Sequence, residues 1–425
     1  MKHIIIGIGA AAVSAARRIV KEKPDDTVIM ISKDDKVHSR CMLHNVISGE
    51  RDEDSINFIN DDLLESPNIQ WIKNKTITRL DSGQKIVYAG DEEVARGDTI
   101  LIATGADSII PPIGELAKAK NAFGLRHLSD ARAIMESAKK AKKIAVIGAG
   151  LVGLDAVYGI LESPDGEEKD ISVIEMAGSI LAINLDAHAA DTYQRLFEDK
   201  GVKFYLGKKV INTRSRGENI TALELDDGLV VHCDMVIVAV GVRPALAFLA
   251  ESGVELTERR AVKVDEYLST NIPGIYAAGD AAGLSGIWPN AQKQGEIAGY
   301  NMTGTKWIYD DLFAFKNTIN FFNLPSLSMG FLNAKEGDRV LIREDKKSYQ
   351  KLILRDGIPV GVILQGEIGG SGFWQYLIKN TIRIDNLGGS EKNPWSVWKV
   401  SYADFYGMEE NGEYKWVIKS MPKVR

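Results

Sequence analysis

Apolar residues along this chain follow two alternating rhythms. Short unbroken runs, the mark of strands buried on both faces, are followed by stretches in which apolar residues recur at helical spacing. Residues 3–9, "HIIIGIG", predict a buried strand that turns tightly into a helix, "AAAVSAARRIV". The pair returns in "KKIAVIGAGLVGLDAVYGIL", with its strand at Ile144–Ile147. Further buried strands are predicted in "TVIMISKDD", "DTILIATGA" (Asp98–Ala106), "ISVIEMAGS", "MVIVAVGVRP" (Met235–Pro244) and "IPGIYAAGDAA" (Ile272–Ala282). From about Asp310 the pattern shortens to alternating strands, "DRVLIRED", "SYQKLILRDG" and "IPVGVILQGE", and then a helix, "SGFWQYLIKN". Strand–helix alternation followed by a run of strands predicts an α/β protein with an α+β end.

The turns carry the chemistry. Gly7, Gly9 and Ala12 stand in G-x-G-x-x-A spacing, and Gly148, Gly150 and Gly153 in G-x-G-x-x-G spacing. In such a turn the first small residue permits the bend and the second lets backbone N–H groups approach a pyrophosphate. The third lets helix and strand pack closely, and the helix N-terminus faces the anion. One such spacing is weak evidence and fits any glycine-rich turn. Two of them about 140 residues apart, each between a buried strand and a helix, point to two dinucleotide sites. After the second cradle a strand ends at Glu175, where a carboxylate accepts hydrogen bonds from an adenosine ribose; Met176 and Ala177 offer no cation for a 2′-phosphate, so NADH is expected over NADPH. After the first, the strand ends at Ser32, which has one hydroxyl to offer, with Asp34 in the following turn as a substitute carboxylate.

Composition narrows the class. At 425 residues, 45% hydrophobic and 26% charged, the chain is a globular protein of two or three domains. A net charge of −6 with scattered Lys and Arg argues against a nucleic-acid partner. The apolar runs are shorter than the roughly 20 residues of a membrane-spanning helix. The opening residues fit a strand entering a helix better than a secretory leader, and two distant cysteines, Cys41 and Cys233, suit a reducing compartment. A cytoplasmic location with no membrane association is expected. No metal-ligand spacing is present.

The two cradles, "IATG", "VAVGVRP", "YAAGD" and "WPNAQKQGEIAGYNM" together resemble the pyridine nucleotide-disulfide oxidoreductase superfamily over about residues 1–385. They are most similar to its single-cysteine or cysteine-free branch: rubredoxin reductases, the flavin portion of NADH-nitrite reductases, NADH oxidases and coenzyme A-disulfide reductases. The resemblance implies two Rossmann-like domains and a C-terminal α+β interface domain. The expected boundaries are an FAD-binding domain at 1–110 and 245–309, an NAD-binding domain at 111–244, an interface or dimerisation domain at 310–390, and an extension at 391–425. It implies FAD on Gly7, Gly9, Ala12, Ser32, Arg40, Ile77, Ala103, Thr104, Gly105 and Gly279, with Asp280 at the ribityl chain. NADH falls to Gly148, Gly150, Gly153 and Glu175, with Gly241 near the nicotinamide half. Asp155 stands where relatives more often carry Glu near the nicotinamide and flavin; a solvated carboxylate in the first helical turn is the other reading.

Members of the superfamily that use a disulfide carry paired cysteines, which this chain lacks. Cys41 falls where the coenzyme A-disulfide reductases and NADH peroxidases hold a lone redox thiol, although "HSRC" and "MLHN" depart from their surroundings and "SRxxL" is closer to electron-carrier reductases. A reactive thiol needs a cationic setting, which Arg40, His38 and His44 offer in sequence; the alternative is a small apolar residue at a helix start. Cys233 is expected to be structural. Three functions follow: NADH-driven delivery of electrons through FAD to a small redox protein, partner subunit or small-molecule acceptor; turnover of a thiol, disulfide or peroxide at Cys41; and a non-catalytic flavoprotein sensor or subunit of a larger complex. A homodimer is expected. The extension holds three of the seven Trp residues and is expected to form an extra packed hairpin, with a docking surface as the alternative.

Overall fold

The computed structural model describes residues 1–59, 62–311, 313, 316–384, 398, 400, 406–408 and 414–416. Its helices are α1 (Ala10–Glu22), α2 (Leu43–Ser48), α3 (Leu128–Ala138), α4 (Leu151–Leu161), α5 (Ala187–Glu198), α6 (Trp288–Met302) and α7 (Ser371–Lys379). The chain forms two compact units, one of residues 1–176 and 203–314, the other of 177–202 and 315–425.

The first unit holds two parallel sheets. In one, the strands run Ile275–Ala277, Thr99–Ile102, Lys2–Ile6, Thr27–Ile31 and Ile69–Ile72 in spatial order. In the other, the order is Lys203–Leu206, Asp170–Glu175, Lys143–Ile147, Met235–Val238 and Ala122–Phe123. The unbroken apolar runs are the central strands: Ile4, Ile5, Ile100, Leu101 and Ile102 are fully buried, as are Val146 and Ile237. Parallel strands need covered faces, and α1 supplies one cover through Ala12, Ala15, Ala16 and Ile19. Helix α6 lies against α1 where Gly295 faces the Ala11 carbonyl; a side chain there would collide with backbone. A short antiparallel ribbon, Ala106–Ser108 with Val242–Pro244, carries the chain from one sheet to the other and back.

The second unit is built on an antiparallel sheet in the order Lys316–Phe321, Leu324–Gly330, Ile358–Gln365, Tyr349–Arg355 and Arg339–Glu344. Residues 177–202, placed by the sequence within the second nucleotide domain, pack into this unit. The cause is the apolar stripe of α5. Tyr193 and Phe197 meet Phe321 edge to face at 5.6 and 5.3 Å, and the Tyr193 hydroxyl bonds Ser326 Oγ at 2.9 Å. Asp186 caps the helix on Ala189 N–H while accepting from Tyr349 Oη (2.8 Å) and Lys351 Nζ (2.9 Å). In the C-terminal extension, Tyr406–Met408 pairs antiparallel with Tyr414–Trp416, and Trp398 meets Trp374 at 5.6 Å; the rest of the expected hairpin lies outside the described residues. Among the described residues no helix is long and apolar enough to cross a membrane, and no cluster of His, Cys, Asp and Glu could hold a metal ion.

Candidate functional site

The two cradles repeat one another bond for bond. Gly7 N–H donates to the Ile31 carbonyl and Gly148 N–H to that of Ile174, each at 2.8 Å. Both glycines have positive φ, 131° and 105°, and each is pressed against the carbonyl at the exit of the next strand, Ala103 for Gly7 and Ala239 for Gly148. Each helix then begins at a glycine in extended conformation, Gly9 (φ −79°) and Gly150 (φ −77°), with no side chain capping its N–H groups. A Cβ on Gly9 or Gly150 would meet nothing within 4 Å, whereas one on Gly153 would strike the Gly148 carbonyl. The spacing therefore divides into packing glycines and one open position over each helix N-terminus, the shape a pyrophosphate requires. Ala12 is fully buried. Across the second cradle, Glu175 Oε2 accepts from Ala149 N–H at 2.7 Å.

Two adjoining cavities open beside the first cradle. The larger, about 490 Å³, is walled by Gly7, Ser32, Asp34, Ile77, Thr104 and Arg260 among others. The smaller, about 90 Å³, is walled by Gly9, Cys41, Gly105, Arg126, Gly279 and Asp280, with Trp288 also in its lining. Arg40 and Ala103 belong to both. Gly241 stands apart at the ribbon, its carbonyl accepting from Ile109 N–H. Two buried polar atoms in these walls lack a partner among the described residues, Thr104 Oγ1 and Arg126 Nε. Buried polar groups are rarely left unpaired. Together with the side-chain-free helix terminus at Gly9, they fit a polar, anionic dinucleotide such as FAD.

Arg126 was not singled out from the sequence. It ion-pairs with Asp280, and nothing in "GLRHLSDA" marks it locally. Arg40 reaches the Arg126 carbonyl (3.3 Å), His127 Nδ1 (3.0 Å) and Asp34 (3.6 Å). Burial and the neighbouring Arg126 hold its pKa below the usual value, against the pull of Asp34 and Asp280. Ser32 is more committed than its sequence position suggested. Its hydroxyl donates to the Asp34 carbonyl (2.8 Å) and accepts from Trp71 Nε1 (2.9 Å), leaving one lone pair for a ribose.

The setting expected to activate Cys41 is not the one the fold builds. The thiol is exposed on the smaller cavity; desolvation and the nearby Asp155 push its pKa up, against the pull of Arg126 and Arg40. Desolvation also lowers His38 and His44, so neither imidazole supplies the cation that adjacency in sequence promised. Asp155 Oδ1 lies 3.8 Å from His44 Nδ1, where α2 packs on α4 so closely that Gly159 faces the His44 backbone. Burial raises the Asp155 carboxyl to about 7, while 28% of its side-chain surface remains open to solvent. Cys233 is buried and pushed up to about 12.

Two glycine-turn cradles in one unit, with a cleft beside the first, fit a protein that binds two dinucleotides. Residues 1–295 match the family model of pyridine nucleotide-disulphide oxidoreductases and residues 316–382 that of the rubredoxin NAD+ reductase C-terminal domain. The chain belongs to the pyridine nucleotide-disulphide oxidoreductase family, whose members work with FAD and NADH. It is 32% identical over 325 residues to an NADH oxidase of Methanocaldococcus jannaschii, covering 72% of this chain and 71% of that one. It is 29% identical over 372 residues to a nitrite reductase [NAD(P)H] of Bacillus subtilis, covering 86% of this chain but 45% of the relative, so the chain spans less than half of that protein. The solved NADH:rubredoxin oxidoreductase of Clostridium acetobutylicum shares its fold with a TM-score of 0.73 at 24% identity, covering 91% and 96% of the two chains.

Proposed function

We propose that this chain oxidises NADH and passes the electrons through FAD to a small redox protein of the rubredoxin or ferredoxin type. When bound, FAD takes up a hydride from NADH and gives electrons onward. The chain's own residues bind and orient. Backbone N–H groups above Gly9 and Gly150 receive the two pyrophosphates, Asp280 and Arg126 flank the smaller cavity, and Glu175 favours an unphosphorylated ribose and hence NADH over NADPH. The 1–110 and 245–309 segments would form the FAD half and the strands of 111–244 the NAD half. A homodimer in the cytoplasm is part of this reading.

The observation that carries the choice of acceptor is Cys41. It has no second cysteine to pair with, since Cys233 is buried, and its surroundings raise its pKa, so a thiolate relay is disfavoured. The match of residues 316–382 to the rubredoxin NAD+ reductase C-terminal domain supports the same choice. The second reading, reduction of a disulfide or peroxide by Cys41, is favoured by one fact: the thiol opens on the cavity that holds Gly9 and Asp280. Anaerobic turnover of NADH with rubredoxin, measured for the native chain and Cys41→Ser, separates them. Sustained and equal rates are expected. Turnover only with a disulfide or peroxide, abolished in Cys41→Ser, would select the thiol mechanism.

A further inference from the structure

Three segments distant in sequence meet at Arg40. His127, immediately before α3, accepts from Arg40 Nη1 at Nδ1 (3.0 Å), which fixes its proton on Nε2. That Nε2–H donates to Asp107 Oδ1 (2.9 Å) on the ribbon strand, and the same carboxylate oxygen receives Lys33 Nζ at 2.9 Å. The hydrogen bond from His127 holds the Asp107 pKa well below the usual carboxylate range. His127 is buried, and Arg40 is the one charged side chain common to the walls of both cavities. A guanidinium on a long flexible stem has many rotamers, and a hydrogen-bonded shell behind it selects one.

We infer that Asp107 and His127 are positioning residues: the chain Lys33–Asp107–His127 aims the Arg40 guanidinium between the two cavities, where it meets FAD. The imidazole must be the link, because it accepts from Arg40 on one side and donates to a carboxylate on the other. A glutamine can do both; an aliphatic side chain can do neither. The inference rests on the reading that the cleft holds FAD.

The test is FAD affinity by flavin fluorescence and the midpoint potential of bound FAD in His127→Leu, His127→Gln, Arg40→Met and the double variant Arg40→Met/His127→Leu. His127→Leu is expected to weaken FAD about tenfold, the loss of one hydrogen bond to a charged group, and to make the potential more negative as the cation disengages. His127→Gln should stay within about twofold of the native chain, and the double variant should be no weaker than Arg40→Met, as coupled residues require. Unchanged affinity and potential in His127→Leu would overturn the inference, as would losses that add in the double variant. Should His127→Leu fail to fold, a His127→Gln chain that lost affinity as Arg40→Met does would equally overturn it. A native chain that bound no FAD would instead remove the underlying functional reading.

Discussion

The guanidinium of Arg126 and the carboxylate of Asp280, 154 positions apart in sequence, form an ion pair in the wall of the smaller cavity. Each side chain is only about one-fifth exposed (20% and 21%), so removing either charge strands the other in a poorly solvated place. Asp280→Asn should therefore lower stability by about 1–3 kcal/mol and weaken FAD binding. Chemical denaturation and flavin titration of the same preparation check both. Unchanged binding would show that Asp280 does not face the cofactor.

The glycines of the second cradle make a differential prediction. Gly150→Ala places a methyl in open space and should fold as the native chain does, while its KM for NADH rises about tenfold because the pyrophosphate is displaced. Gly153→Ala drives a methyl into the Gly148 carbonyl and should cost about 1–3 kcal/mol of stability. Equal melting temperatures for the two variants would contradict this division of roles.

Asp155 makes stability depend on pH in a direction opposite to most carboxylates. Its folded pKa, about 7, lies above the ordinary 3.8, so the folded chain holds a proton that the unfolded chain has lost between those values. The penalty is absent below about pH 4, grows as pH rises toward 7 and is constant beyond. Asp155→Asn should leave stability near pH 4 unchanged and raise it at about pH 8 by roughly 1–3 kcal/mol, discounted for the opening of the site to solvent. Denaturation of both chains at the two pH values decides it; a constant difference would remove the claim.

Cys41 should be a slow nucleophile despite its exposure. Burial on its protein side and the Asp155 carboxyl raise its pKa, so alkylation by iodoacetamide should lag that of a free thiol at neutral pH, and its rate should climb at higher pH than the free thiol's about 8.5. A rate at pH 7 above that of free cysteine would point back to a redox thiol.

Much of the architecture was legible because its demands are local. The glycines of each cradle answer backbone requirements set within a few residues, and the apolar runs that became the central strands need no knowledge of the rest of the chain. What the sequence concealed was supplied by distant partners. Arg126 and His127 acquire their roles from Asp280, Asp107 and Arg40, which the ribbon crossing brings beside them. Nothing in the sequence around residues 187–198 announced that Phe321 would cover the apolar stripe of α5. Arg40, His38 and His44 promised Cys41 a positive setting; burial lowers the pKa of both imidazoles, and Asp155, remote in sequence, works against Arg40.

The most direct test of two nucleotide sites serving one reaction is anaerobic titration of the FAD-loaded chain with NADH and, separately, NADPH, read at the visible flavin band. Stoichiometric bleaching by NADH, much weaker reduction by NADPH and, in Gly150→Ala, bleaching that needs about tenfold more NADH are the expected results. A chain that takes up no FAD, or whose bound FAD stays oxidised in the presence of excess NADH, would contradict it.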